Sequence, residues 1–327
     1  MNQSLVSIII LNWNGKEHVF KCIESVMKQT YCNVEVIIVD NGSNDGSKEI
    51  IKNEHNKYKM IENNNNMGYA FGMNQGISES TGDYIILLNQ DVYLHKDFIS
   101  HCVRKANSNV LIGAIGGRVY SWIGNNFTFC IQPGEGELFF LKKRFQGYGG
   151  VRIDTDAFVF RPSGCFPFLR KAMLNDLKKY NGYYFDESFV TGWEDMDLFF
   201  RMQLRNWKCL FTPDAYGWHV GSGSVGGKNT FFKKDIDYQV RILRNRYYTI
   251  IKNIPNNIIL WLLPYLIITE ISLMPYFIVR SPKSIFALFM SWAYVIWNIR
   301  KLYGNRKIIQ KSTNVDRNYL KQYFVKI

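Results

Sequence analysis

The sequence predicts an α/β protein: a mostly parallel sheet with helices on both faces, extended by a C-terminal helical tail that meets a membrane. Three observations lead there. Short, continuously apolar, β-branched runs alternate with segments of helical period through the first hundred residues, the pattern of strands buried on both faces. Small polar and acidic residues follow four of these runs in succession. The last third then combines the longest apolar stretches with all of the excess positive charge.

The elements follow in order. Val6 to Leu11 reads as the first buried strand and Lys16 to Lys28 as a helix. Glu35 to Val39 gives a second strand, Asp45 to Lys52 a second helix, and Lys59 to Glu62 a short third strand. Gly68 to Ser80 reads as a helix and Asp83 to Leu88 as a fourth strand. Such alternation means parallel pairing through crossovers, and ligands of these sheets bind beyond the carboxyl ends of the strands. Those ends carry Asn12 and Asn14, Asp40 and Asn41, Asn63, then Asn89 and Asp91. Residues 112–160 are less regular and glycine-punctuated, and read as strands with a variable loop. Order returns after Tyr183, with a helix from Glu194 to Arg205 and short strands at Lys208 to Thr212 and Ala215 to Trp218. Gly221 to Gly227 reads as a flexible linker.

A chain of 327 residues suits one large α/β domain with an appendage, and 47% hydrophobic content excludes wholesale disorder. Residues 1–222 carry 23 basic and 23 acidic side chains; residues 223–327 carry 17 and 4, which accounts for the whole net charge of +13. That charge is interleaved with the apolar stretches Ile258 to Val279 and Ile285 to Ile299. The combination points to an anionic membrane surface and away from nucleic acid. The first stretch is long enough to span a bilayer, yet it contains Glu270, Pro264 and Pro275. A two-helix hairpin would also leave Arg280 and Lys283 on the far side, against the positive-inside tendency. Peripheral or monotopic helices lying in the interface fit better than spanning ones, and a soluble helical cap is the third alternative. Cys22, Cys32, Cys102, Cys130, Cys165 and Cys209 form no C-x-x-C pair and read as reduced thiols. No basic region precedes a long apolar stretch at the N-terminus, so the body of the protein is expected at the cytoplasmic face.

Three places offer chemistry. Asp91 follows the fourth strand in Leu87-Leu88-Asn89-Gln90-Asp91-Val92, where a carboxylate suits a cation bridging two phosphates; Asn-x-Asp is equally a common strand-end turn. Gly192-Trp193-Glu194-Asp195-Met196-Asp197-Leu198 holds three acids within four residues. A helix N-terminus tolerates such a cluster without any function. Alternatively one acid faces a site as general base while the others cap the helix or pair with Arg201 or Arg205. His219 in Gly217-Trp218-His219-Val220-Gly221 suits a metal ligand or a hydrogen-bonded structural role. No G-x-G-x-x-G follows the first strand, which disfavours a dinucleotide-binding reading.

In order along the chain, the motifs resemble those of the family 2 glycosyltransferases, and in particular the rhamnosyltransferase-like branch with a membrane-associated tail. Val39-Asp40-Asn41-Gly42-Ser43-Asn44-Asp45-Gly46-Ser47 is similar to the family's V-D-N-x-S-x-D-G-S signature, and Asn66 to Ile77 to its N-x-G-[FY]-A-x-G-x-N-x-G-I segment. Leu87 to Asp91 resembles L-L-N-P-D, with Gln90 for proline and Asn89 where a full D-x-D has its first acid. Phe185 to Arg201 resembles F-D-E-x-F…G-x-E-D-x-D-L-x-x-R, His219 to Ser224 the late H-x-x-G-x-S block, and Arg244-Asn245 the R-N pair before the tail.

The resemblance implies a GT-A fold. Residues 1–227 would be the catalytic domain, with a nucleotide-sugar half to about 110 and an acceptor half from 111, and residues 228–327 the membrane-associated region. It further implies inverting transfer of a sugar, rhamnose favoured, from a nucleotide-diphosphate donor to a hydroxyl of a glycan or glycolipid acceptor in surface polysaccharide synthesis. Asp40 would contact the nucleobase with Asn12 and Asn41 nearby, Gly68 and Asn74 would shape the pocket, and Asn89 would contribute through its amide or a ribose contact. Asp91, with His219, would hold Mg2+ or Mn2+; Asp195 would be the base, with Glu194 helping to hold the acceptor or its loop. Asp91 and Asp195 would then meet in one cleft. Residues 222–234 are expected to close over the diphosphate, with Lys228, Lys233 or Lys234 as added charge. The alternatives are a polyprenyl-phosphate sugar synthase and a nucleotide-sugar-binding module without catalysis.

Overall fold

In the computed structural model, residues 3–54, 57–124, 126–131, 143–145, 154–220 and 231–326 are described. The apolar runs of the first ninety residues become β1 (Val6–Asn12), β2 (Val34–Asp40) and β4 (Tyr84–Asn89), and the short segment Lys59–Glu62 becomes β3. All four are parallel, in the spatial order β3-β2-β1-β4. The register aligns their carboxyl ends: Asn12 stands opposite Asp40, Leu11 opposite Asn89, and Asp40 opposite Glu62. The crossovers are α1 (Val19–Met27), α2 (Ser47–Glu54) and α3 (Tyr69–Glu79). α1 buries Val19, Cys22, Ile23 and Val26, the i, i+3, i+4, i+7 stripe that lays a helix on a sheet. α3 approaches closely because it is glycine-faced, and a Cβ on Gly76 would sit 2.3 Å from Ile9 Cγ2.

Beyond β4 the sheet turns mixed. The next elements are β5 (Val92–Leu94), α4 (Phe98–Ser108), β6 (Ile112–Ile123), β7 (Asn126–Ile131), β8 (Lys143–Phe145), β9 (Ala157–Val159), β10 (Phe168–Arg170) and α5 (Lys171–Asn181). α6 (Glu194–Leu204) and β11 (Lys208–His219) follow. β10 runs antiparallel between β4 and β6, β11 lies parallel to β6, and β5 closes the edge antiparallel to β11. Where two short strands are expected between Lys208 and Trp218, the structure has the single strand β11. Its pairing with β6 slips between Phe211 and Tyr216, around Pro213, whose missing N–H prevents a regular ladder but not resumption of the strand.

The chain forms two compact units. One comprises Met1–Glu135, Gly147–Asp176 and Trp207–Ser224; the other comprises Gly136–Gln146, Leu177–Asn206 and Val225–Ile327. The first unit holds the ten-stranded sheet. The second contains α6 with α7 (Ile236–Asn253), α8 (Asn256–Arg280), α9 (Ser284–Trp297), α10 (Ile299–Lys311) and the short strand β12 (Phe324–Lys326), which pairs with β8. α7 packs against α6, α9 and α10. Val240 and Leu243 of α7, Phe277 of α8, and Ala287 and Leu288 of α9 form one core cluster of this unit. α8 is long and apolar enough to cross a membrane, with a mean hydropathy of 1.8. The glycine linker expected at 221–227, and Lys228, lie outside the described residues.

Candidate active site

At the carboxyl edge of the parallel strands, Asn12 organises the first loop. Its Nδ2 donates to Asp40 Oδ2 at 2.7 Å, Ser47 Oγ at 3.0 Å and Ser43 Oγ at 3.1 Å. The Ser43 amide donates to Asp40 Oδ1, so both oxygens of this wholly buried carboxylate are engaged. Asp40 thus fixes the turn that follows β2. Gly42 permits that turn with φ +78°, and a Cβ there would meet Asn65 backbone at 2.7 Å. Asn12 Oδ1 is buried and accepts no hydrogen bond from the described residues, an acceptor of the kind that a ligand or water satisfies. Asn41 builds the neighbouring wall. Its Nδ2 donates to Asn66 Oδ1 and the Gly68 carbonyl, and its Oδ1 accepts from Asn63 and the Met67 amide. Gly68, at φ +89°, opens α3, and Asn74 sits half-buried on that helix.

The β4–β5 turn carries Asn89, Gln90 and Asp91. The Asn89 amide donates to the Cys165 carbonyl at 3.0 Å. Gln90, standing where the family pattern has proline, clamps Trp13 by accepting from its amide and donating to its carbonyl. The first loop and the Asp91 turn are therefore tied together, a link that the sequence motif did not reveal. Asp91 and His219 meet as expected from neither spacing nor periodicity: β5 and β11 pair Val92 with His219, and His219 Nε2 lies 3.3 Å from Asp91 Oδ1. Their side chains are 12% and 17% exposed, so the pair is sunk but open. Burial opposes a charged imidazole; the Cys165 sulfur and the Asp91 carboxylate outweigh it and hold His219 well above the ordinary histidine range. Among the described residues no group of three His, Cys, Asp or Glu side chains forms a metal cage. A carboxylate and an imidazole converging at one point would nevertheless fit a cation that displaces the imidazole proton and takes phosphate oxygens and water as its other ligands.

The acidic helix belongs to the second unit. Its three acids have separate fates. Asp197 is fully buried, pairs through Oδ2 with Arg201 Nε at 2.8 Å, and receives Lys252 Nζ at 2.8 Å and Asn253 Nδ2 at 2.9 Å on Oδ1. This is the expected acid–Arg201 pairing, i to i+4. Glu194 is buried in the first turn, and Asp195 is half-buried with Oδ1 accepting from the Met196 amide at 2.7 Å. Sequence reasoning missed Lys252 altogether, because a lysine in a basic tail gives no sign of being buried.

A mixed sheet with helices on both faces, with the polar ends of β1, β2 and β4 along one edge, is an architecture of the GT-A kind. The profile described as Glycosyl transferase family 2 matches residues 7–175, and the chain belongs to this family; it is a glycosyltransferase. It is 28% identical over 234 residues to "Glycosyltransferase GlyG" of Streptococcus pneumoniae serotype 4, covering 68% of this chain and 72% of that protein. It is 26% identical over 226 residues to "Poly-beta-1,6-N-acetyl-D-glucosamine synthase" of Staphylococcus epidermidis, covering 68% of this chain and 51%, about half, of that relative. Among solved structures, S. aureus TarS matches with a TM-score of 0.51 at 17% identity, over 76% of this chain and 40% of that one. GalNAc-T7 with UDP, GalNAc and Mn2+ matches with a TM-score of 0.57 at 15% identity, over 76% and 48%. At these identities the structural likeness is one of fold.

Proposed function

We propose that the chain transfers a sugar from a nucleoside-diphosphate sugar to an acceptor hydroxyl by single displacement, with inversion at the anomeric carbon. The acceptor oxygen forms the new bond to that carbon, its proton passes to Asp195, and the bond to the diphosphate breaks to release the nucleoside diphosphate. The observation that carries this reading is the Asp91–His219 pair at the ligand edge of a family 2 sheet. Asp91 and His219 would hold Mg2+ or Mn2+, which when bound neutralises charge on the leaving diphosphate. Asn12, Asp40, Asn41, Gly68 and Asn74 form the nucleoside pocket, Asn89 reaches the ribose, and Glu194 steadies the acceptor or its loop. Residues 1–227 would make up the catalytic domain and 228–327 the membrane-associated region.

Resemblance to the rhamnosyl branch favours dTDP-rhamnose as donor, while the UDP named with TarS and GalNAc-T7 favours a UDP-sugar. The name of the poly-beta-1,6-N-acetyl-D-glucosamine synthase relative supports an acceptor in polysaccharide synthesis; a lipid-linked acceptor at the cytoplasmic face is the reading that the apolar, basic tail favours. Attachment there is peripheral or monotopic, through α8 and α9. α8 buries the stripe Ile258, Leu262, Thr269 and Phe277, and turns Trp261, Ile267, Ile271 and Val279 outward. Its single acid, Glu270, pairs with Arg246 of α7 at 2.7 Å and accepts from Tyr247. A spanning α8 would carry that helix, with Arg241, Arg244 and Lys252, to bilayer depth, where charge is costly; an in-plane α8 does not.

The Asp195→Asn variant tests the reaction. A hydroxyl acceptor needs a base and a phosphate acceptor does not. Turnover should fall on the order of 100-fold or more while nucleotide binding persists; wild-type turnover would remove the base and favour the polyprenyl-phosphate reading.

A further inference from the structure

We propose that α7 is the positioning scaffold of the base: Asn245 and Lys252, reaching from the tail, hold the loop 186–193 and the first turn of α6 so that Asp195 is presented in one orientation. The inference rests on the reading of Asp195 as base.

The loop is strained. Val190 at φ 63°, Gly192 at φ 81° and Trp193 at φ 72° all lie in the left-handed region, which a β-branched valine almost never adopts. Such backbone persists only where its surroundings hold it. Its hydrogen-bonding holders stand on α7, while Leu302 of α10 and Val295 of α9 pack with Phe189 and Trp193. Asn245 Nδ2 donates to the carbonyls of Phe189 at 2.8 Å, Gly192 at 2.8 Å and Thr191 at 3.2 Å. Arg244 Nη2 donates to the Ser188 carbonyl at 2.8 Å. Ile242 Cδ1 lies 2.3 Å from the point where a Cβ on Gly192 would stand, so a side chain there would displace the Ile242 tip as well as strain the backbone at φ 81°.

One ammonium then ties the two ends of the segment together. Lys252 Nζ, fully buried, lies 2.6 Å from Asp186 Oδ2 and 2.8 Å from Asp197 Oδ1. Asp186 starts the loop and caps it by accepting from the Ser188 amide and hydroxyl; Asp197 lies two residues past Asp195. With Arg201 on Asp197 the buried charges balance, two against two. A buried ion network is a poor source of stability compared with apolar packing but a good source of fixed geometry. α10 braces the scaffold in turn, because Arg306 donates to the carbonyls of Ile251, in the last turn of α7, and Ile254, just past it. The R-N pair of the sequence motif thereby acquires a role, and the tail becomes part of the catalytic apparatus as well as an anchor.

The test compares full-length Asn245→Ala, Lys252→Met/Asp186→Asn and Asp195→Asn. The double variant removes one buried charge of each sign, so the segment stays neutral and foldable. Turnover is read as UDP or dTDP released from UDP-hexose or dTDP-rhamnose, binding by calorimetric titration with UDP and dTDP, and folding by circular dichroism. For both α7 variants we expect kcat lower by on the order of 10- to 100-fold, the effect of a misplaced catalytic group, with nucleotide affinity and donor KM within about twofold and the fold intact. Wild-type kcat in both, or loss of nucleotide affinity in step with kcat, overturns the proposal. If Asp195→Asn itself turns over normally the base reading fails; if it is dead while the α7 variants are normal, only the scaffold fails.

Discussion

Asp186 illustrates how a motif acid can serve architecture. Burial alone would raise its pKa, but the Lys252 ammonium and the Ser188 amide and hydroxyl outweigh this and hold it at about 2, below the ordinary 3.8. A depressed carboxylate contributes stability that is complete above the unfolded value and is lost as pH falls through the folded one. The shift corresponds to about 2 kcal/mol. Lys252, raised above the ordinary lysine value against its burial by Asp197, Tyr183 and Asp186, behaves in the opposite sense and loses its contribution only in strong alkali. The guanidinium midpoint should therefore drop more steeply between about pH 4 and pH 2 in the wild type than in Asp186→Asn; parallel slopes would contradict the pairing. At this scale the sequence was partly legible. The pairing of Asp197 with Arg201 followed from their spacing, whereas Asp186–Lys252 joins positions 66 apart, and no local pattern encodes that. The Gln90 clamp on Trp13 was hidden for the same reason.

Elements were legible where one period dominates. β1, β2 and β4 are largely apolar runs separated by helical patterns, so the succession of elements and a parallel sheet could be read directly, whereas β3 (Lys59-Met60-Ile61-Glu62) is short and exposed at both ends. The three-residue strands β5, β9 and β10 are too short to show a period, yet β5 and β10 decide how the sheet continues past β4 and how His219 reaches Asp91. α7 escaped notice because arginines punctuate it, although its buried residues include Asn245, Arg246, Lys252 and Asn253. α8 and α9 were legible as apolar stretches, and their outward faces carry a prediction. Val279 and Trp297 are 83% and 85% exposed. Replacing both with aspartate should weaken binding of the full chain to phosphatidylglycerol vesicles by more than about tenfold, since each buried apolar side chain is worth about 2 kcal/mol. Unchanged partitioning would contradict docking through this face.

Over the whole molecule, charge and chemistry are distributed unevenly. Residues 1–222 are neutral and supply the proposed nucleotide edge, while residues 223–327 carry the net +13 along with the helices proposed to meet lipid. The same basic tail donates the buried cations and amides that fix the acidic loop, so the proposed attachment and the proposed base share one set of helices. The most direct test of the central claim is nucleotide release from a panel of nucleoside-diphosphate sugars, with lipid-linked glycan acceptors and Mg2+ or Mn2+, by the full chain and by Asp91→Ala. The wild type should release nucleotide in step with glycan extension, and Asp91→Ala, like chelation of the wild type, should reduce release by on the order of 100-fold or more. Release at the wild-type rate from Asp91→Ala would contradict the account.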